Sequence, residues 1–335
     1  MMSTAGRVVS RRALLAAAAA ALAGSTDSRV ARSAGAWPTR PVRLVVPFAP
    51  GGAVDIVGRL AARYLSDESG QQVYVENRSG AGGSLGTEFV AKAAPDGQTL
   101  LLHTVSSAVI NALTYTDLRF DPRKDLTPIT EIAAAQTLIV INAQVPATTL
   151  GQFVALVRQR PGQFKFGSTG VGGSVHLAGQ LFATRERLDM VHVPYRGEGE
   201  AIKDLVAGVT QMETGVASAF LPFIRADQLR ALCVNGDKRI ALLPQVPTAA
   251  EAGLADFDLP NWYALYAPRG LPDDITRRIY ESTARILAVP DVRMRLAELG
   301  LEAIGSSPAE MAAYLDRQFA FWTPVVKASG VKLTR

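Results

Sequence analysis

From Pro38 onward the chain repeats one pattern: a short apolar run, a loop rich in Gly, Ser and Pro, then an amphipathic stretch. Val42–Pro47 predicts a buried strand. The stretch after Gly52 places Ile56, Val57, Leu60, Ala61, Tyr64 and Leu65 on one face of a helix. Val73–Glu76 predicts a second strand, Arg78–Gly83 a loop and Ser84–Ala93 a helix, and Thr99–His103 a third strand ending in Thr104-Val105-Ser106-Ser107. A second series starts at Leu138–Ile141. It continues through a helix at Leu150–Gln159, strands at Phe164–Gly167 and Met190–Val193 around a helix near His176–Arg185, and a strand at Leu229–Val234. Trp262–Tyr266 reads as a connection back. Ser307-Pro308-Ala309-Glu310 is a capping box with proline at the first helical position, opening a helix towards Val326, and Gly300 suits the end of the helix before it.

Strands alternating with helices predict parallel sheets joined by crossover helices. A chain of 335 residues is long for one core and comfortable for two. The expected fold is therefore α/β and two-lobed, each lobe a doubly wound sheet flanked by helices. Residues 37–137 plus 262–335 form lobe one and 138–261 lobe two. Two chain crossings without a low-complexity linker suit a hinge, and a monomer is the natural state for such a pair.

Charge alters this picture only at the N-terminus. The formal net charge is +5, but residues 1–36 hold five arginines and one acid, so the rest is nearly neutral and nothing calls for a nucleic-acid partner. Arg7, Arg11 and Arg12 followed by the apolar run Ala13–Ala23 predict a secretory signal, the run being too short to span a bilayer. Ala34-Gly35-Ala36 offers a cleavage site that leaves Trp37 first, and Ser10–Leu15 also fits a twin-arginine signal. Ser25 stands where a lipoprotein needs cysteine. The expected location is the periplasm. The one cysteine, Cys233, lies in an apolar stretch and reads as a buried structural thiol.

In open parallel sheets ligands bind beyond the carboxyl ends of the strands. The loops at those ends are rich in Gly, Ser and Thr, poor in charge, and lead into helix N-termini that favour an anion. Gly80-Ala81-Gly82-Gly83-Ser84-Leu85 matches Gly170-Val171-Gly172-Gly173-Ser174-Val175 in pattern. The match suggests two facing anion cradles, one per lobe, in which serine caps the helix or donates to the ligand; two ordinary Gly-rich turns would look the same. Asp55 serves either as a brace for the Pro50-Gly51-Gly52 turn or as a ligand contact. Arg196 reads as a surface residue or a carboxylate contact, and Trp262 and Tyr263 as packing or pocket lining.

Other chemistries lack their residues. Gly80-x-Gly82-Gly83-x-x-Gly86 is out of register for a dinucleotide fingerprint, and no Gly-Lys pair makes a P-loop. His103, His176 and His192 are scattered, so no metal set forms. Ser174 and His176, two apart at a helix start, do not face each other as nucleophile and base. No cofactor and no catalysis are expected.

These loops in this order resemble the Bug family, the extracytoplasmic solute receptors of tripartite tricarboxylate transporters. The phrases run from Trp37-Pro38-x-Arg40-Pro41-Val42-Arg43 and Val45-Val46-Pro47-Phe48-Ala49-Pro50-Gly51-Gly52-x-x-Asp55 through Val75-Glu76-Asn77-Arg78-x-Gly80-Ala81-Gly82-Gly83 and Ala94-Pro95-Asp96-Gly97. They continue in Val191-His192-Val193-Pro194-Tyr195-Arg196-Gly197 and Leu243-Pro244-x-Val246-Pro247-Thr248-x-x-Glu251-x-Gly253. The resemblance implies a type II-like periplasmic binding protein that closes on a small carboxylate and passes it to a membrane permease, or to a signalling partner in some members. It points to Pro50, Gly51, Gly52, Asp55, Ala81, Gly82, Gly83, Ser84, Thr104 and Ser106 in lobe one. In lobe two it points to Ser168, Gly170, Ser174, His176, Tyr195 and Gly197. One phrase departs: where many relatives carry an Asp able to meet a ligand amine, Met212-Glu213-Thr214-Gly215-Val216 places Gly215. A bound ammonium would then lack a counter-charge, and a plain mono- or dicarboxylate, with room for an aromatic one, is expected.

Overall fold

The computed structural model of the protein describes residues 37–334 apart from Arg196, Asp237, Asp256, Asp258 and Pro260. The expected signal at 1–36 and both roles open to Arg196, surface residue or carboxylate contact, lie outside the described residues. The elements in chain order are β1 (Val42–Val46), α1 (Ala53–Ser69), β2 (Val73–Asn77), α2 (Ser84–Ala91), β3 (Thr99–Thr104), a π-helical turn (Ser106–Ile110), α3 (Asn111–Thr114), β4 (Leu126–Ala135) and β5 (Thr137–Asn142). They continue with α4 (Leu150–Arg158), β6 (Phe164–Ser168), α5 (Ser174–Arg185), β7 (Met190–Pro194), α6 (Glu198–Val206), β8 (Met212–Val216), α7 (Ala217–Arg225) and β9 (Leu229–Val234). The last are β10 (Asn261–Pro268), α8 (Asp273–Ala288), α9 (Pro290–Glu298), β11 (Leu301–Ala303) and α10 (Pro308–Ser329).

Two sheets result. The first has six strands in the order β11-β4-β10-β3-β1-β2, the second five in the order β7-β6-β8-β5-β9. The parallel pairing expected from the alternation holds for β1, β2 and β3 and for β6, β7 and β8. The sheets are nevertheless mixed. Trp262–Tyr266 is not merely a connection: it lies in β10, a buried central strand antiparallel to β3 and β4, because the chain re-enters from the second sheet without a crossover helix. Likewise β5 leaves the first sheet directly and runs antiparallel to β8 and β9.

The inner strands are buried as their composition requires. Val42, Leu44, Val45 and Val46 of β1 and Leu100–Leu102 of β3 are fully enclosed. One apolar cluster contains residues of both sheets, from Val45 and Leu101 to Ile139 and Phe166. Helix α10 packs against β4, α3 and α5. It is capped by Ser307, whose side chain accepts from the Glu310 amide while Glu310 accepts from the Ser307 amide. The indole N–H groups of Trp262 and Trp322 both donate to Gln318 Oε1 at 3.3 Å, which pins α10 to β10. Trp262 is therefore packing, with no surface exposed. Cys233 is buried, and burial pushes its thiol up to about 12, so it is inert.

Candidate ligand-binding site

The loops beyond β1, β2 and β3 meet at one end of the first sheet. After β1, Gly51 adopts φ +88°, a backbone that favours glycine, and its N–H donates to Asp55 Oδ2 at 2.9 Å. Asp55 also accepts from Arg59 Nε at 2.9 Å and Asn77 Nδ2 at 2.8 Å, and Asn77 donates in turn to the Phe48 carbonyl. Only 3% of Asp55 is exposed. Burial would raise its carboxyl, but hydrogen bonds from Arg59, the Gly51 amide and Asn77 outweigh burial and hold it below the usual carboxylate value. Of the two roles open to Asp55, the geometry is that of a brace between the β1 and β2 loops.

After β2, Ala81, Gly82 and Gly83 form a 3-10 turn in which all three have positive φ. Asn111 Nδ2 holds it from below, donating to the Gly82 carbonyl at 2.8 Å and Ser84 Oγ at 3.0 Å. Gly83 faces Pro47, Phe48 and Ser107 so closely that an added Cβ would lie 3.1–3.4 Å from them. After β3, Thr104 is buried, its hydroxyl 3.3 Å from Ser107 Oγ.

The second sheet offers its own loops at β6, β7 and β8. Ser168 Oγ lies 2.7 Å from His192 Nε2 and accepts from the Gly170 amide. His176 accepts from the Gly172 N–H at Nδ1, 3.1 Å, and stacks on His192 with ring centroids 3.9 Å apart. Burial lowers both histidines, His192 to about 4 with His176 adding to the effect, so both are neutral. Tyr195 turns its hydroxyl to Asp204 Oδ2 at 2.8 Å. The side chains of Ser168, His176 and Tyr195 are thus engaged in shaping the second sheet's loops. The two Gly-rich loops, alike in sequence, differ in backbone: Gly83 before α2 has φ +96°, whereas Gly173 before α5 is extended. Of the two roles open to Ser84 and Ser174, capping falls to neither, because each is the first helical residue and a glycine precedes it.

That shift by one residue has a consequence. Helices α1, α2, α5 and α6 start from Gly52, Gly83, Gly173 and Gly197, and none of the four has a side-chain cap. By contrast α4 and α10 are capped by Thr149 and Ser307. The four glycine-started helices begin at the carboxyl ends of β1, β2, β6 and β7, with their first amides lacking intrahelical partners. Such amides favour an anion through hydrogen bonds and the helix dipole. The two sides also touch. Ser106 Oγ donates to Ser174 Oγ at 3.2 Å. Leu333 of the C-terminal segment bridges to Tyr115 and lies against Gly172, where an added Cβ would meet it at 2.7 Å.

Sequence patterns resolve what kind of protein this arrangement serves. The pattern of the tripartite tricarboxylate transporter family receptor, TctC, matches residues 57–331. The chain belongs to this receptor family. Its relatives include protein BugT of Bordetella pertussis, 33% identical over 90% of this chain and 93% of BugT. Among solved structures it is similar to R. palustris Rpa4515 with adipate, at 33% identity and TM-score 0.81 over 89% of this chain and all of that one. It is also similar to MatC from Rhodopseudomonas palustris with bound malate, at 31% identity and TM-score 0.77 over 87% of this chain and all of that one. TctC proteins are solute-binding receptors, not enzymes, and no described helix here is long and apolar enough to cross a membrane.

Two acids of the second sheet's loops and strands were not singled out in the sequence. Glu198 begins α6, and its Oε1 lies 3.5 Å from where a Cβ on Gly215 would stand. The same Cβ would meet the Phe220 ring at 2.9 Å, so the Gly215 position is packed by an aromatic ring. Glu213 is 1% exposed on β8, where burial, then the charge of Glu198, pushes its carboxyl up to about 8. Alternation along β8 puts 213 and 215 on one face, the only advance signal.

Proposed function

We propose that this chain is a periplasmic receptor, exported by its N-terminal segment and cleaved after Ala36, that captures a small carboxylate and delivers it to a membrane permease. Residues 37–137 plus 262–335 and residues 138–261 act as two lobes that close over the ligand, with Ser106 and Ser174 meeting at the seam. The observation that carries this reading is the set of four uncapped, glycine-started helix N-termini at the loop ends of both sheets. Backbone amides there would hold the carboxylate while Gly82, Gly83 and Gly170 let it approach closely. The adipate and malate carried by two relatives support the ligand class.

Thermal melts of residues 37–335 against aliphatic and aromatic carboxylic acids, after unfolding and refolding to remove bound ligand, test the reading. An acid present at about 100 times its Kd should stabilise the fold by about 2.7 kcal/mol, a rise of a few degrees in Tm. Gly82→Val should weaken that acid's binding about tenfold. Gly82 has φ +62° and a Cβ there would meet the Asn111 side chain at 3.1 Å, so valine strains the turn and pushes away its support. No shift with any acid, or an unaffected Gly82→Val, would refute the carboxylate cradle.

A further inference from the structure

We propose that the C-terminal segment Val331–Leu333 is a strap that holds the two glycine loops together around the ligand and so governs how fast the ligand leaves. The inference rests on the receptor reading above and assigns its closure to residues beyond the loops themselves.

The strap begins where α10 stops. Gly330 has φ +67°, a left-handed backbone that ends the helix and turns the chain away from its axis. Ser329 fixes the turn, its Oγ donating to the Val326 carbonyl at 2.8 Å and accepting from the Val331 amide at 3.3 Å. The chain then runs beside the end of α3. The Leu333 N–H donates to the Thr114 carbonyl at 2.9 Å. Its carbonyl accepts from the Thr116 amide at 3.0 Å and the Thr116 hydroxyl at 3.3 Å. Both main-chain groups of Leu333 are thus bonded to one short stretch, and Leu333 forms a parallel bridge with Tyr115.

That stretch supports the first glycine loop. Asn111, at the start of α3, holds the Gly82 carbonyl and Ser84 Oγ. Tyr115, just past the end of α3, brings its hydroxyl to 3.5 Å from where a Cβ on Gly82 would stand. The side chain of Leu333 reaches the second sheet's loop. A Cβ on Gly172 would lie 2.7 Å from Leu333 Cδ1 and 3.4 Å from Val331 Cγ1. Glycine, here at φ +80°, lets the loop come so close.

Backbone hydrogen bonds fix Leu333 to the first side, and only apolar contact joins it to the second. Such contact is lost once the two surfaces part and water enters. Opening of the cleft therefore strips Leu333 and Val331 from Gly172 while the main-chain bonds stay. The strap stabilises the closed arrangement alone. A contact made only in the closed state raises the closed fraction and with it the apparent affinity, and it acts mainly on the rate of release. The Ser106–Ser174 hydrogen bond crosses the same seam, but two hydroxyls regain water on opening and favour neither state strongly.

The test compares residues 37–335 with Leu333→Ala and with the chain ended after Gly330, using adipate, malate and benzoate as probes. Stopped-flow fluorescence and calorimetry give the association rate, the dissociation rate and Kd. For each acid that binds, Leu333→Ala should raise the dissociation rate and Kd together, on the order of fivefold, with the association rate changed less than about twofold. Ending the chain after Gly330 should have a larger effect, and Leu333→Met should restore the wild-type rate. The ligand-free melting temperature separates a strap from ordinary packing. Leu333 is partly exposed, so ligand-free Leu333→Ala should melt within about two degrees of wild type. A dissociation rate unchanged in both variants, or a ligand-free melting temperature that falls as far as the ligand-bound one, would overturn the strap and leave the receptor standing. If wild type binds none of the acids, both readings fall.

Discussion

Asp55→Ala is expected to cost about 3 kcal/mol of stability and to weaken carboxylate binding by tenfold or more. The estimate follows from what each donor can do once the carboxylate is gone. The Gly51 amide and the Arg59 guanidinium are largely exposed and recover water. Asn77 is only part-exposed and stays tied to the Phe48 carbonyl, so part of its hydrogen-bonding capacity is lost outright. The binding penalty arises because the turn at Gly51 and Gly52, which starts α1, is no longer held against β2. Asp55→Asn, which keeps an acceptor but loses the charge, should fall between. The carboxyl lies below its ordinary value when folded, so its contribution is complete above about pH 4 and is lost as pH falls through the lowered value. Urea unfolding should therefore show a wild-type to Asp55→Ala gap at neutral pH that narrows near pH 3. A constant gap, or none, would remove Asp55 from its place as the brace.

The role of Asp55 was half legible in the sequence, and the reason it was not fully so is general to this fold. Alternating apolar runs and loops locate β1–β3, β5–β7, β9 and the helices α2, α4 and α5 within a residue or two, because each strand's burial is written in its own composition, whereas α3, α6, α7, α8 and β8 were not read. β4 was not readable: its Leu-Thr-Pro-Ile-Thr-Glu start carries Pro128 and Glu131 inside a ten-residue strand, and only pairing with β10 and β11 explains them. β10 looked like a connection because direction of travel is not encoded locally. The glycine loops were visible as candidate cradles. That Gly83 and Gly173, not the serines after them, would start the helices depends on backbone angles that the shared pattern does not distinguish. Glu198 meeting Gly215 depends on how α6 docks, which is a tertiary fact.

Acid and base should both destabilise this protein, with its maximum stability near pH 5 to 6. All three histidines of the chain are held neutral: burial lowers His103 to about 3, partial burial and His176 lower His192 to about 4, and burial lowers His176 as well. Below the ordinary histidine value of about 6.5 the unfolded chain takes up protons that the folded one refuses, so stability falls as pH drops. The buried acids act in the opposite sense. Burial, then Glu302, raises Glu131 to about 7, and burial, then Glu198, raises Glu213 to about 8. Above about pH 4.5 the unfolded chain releases protons that these two carboxyls keep, so stability falls as pH rises through 7 and 8. Between about 4.5 and 6.5 the two effects largely offset. Above that window only the carboxyls act, and below it only the histidines and ordinary acids such as Asp55. Glu131→Gln isolates one term away from the cleft. At about pH 9 it should be more stable than wild type by about 3 kcal/mol, and near pH 4 the two should coincide. Urea unfolding across that range decides the matter: parallel curves for the two proteins, or a wild-type maximum above pH 7.5, would show that Glu131 and Glu213 do not hold their protons in the folded state.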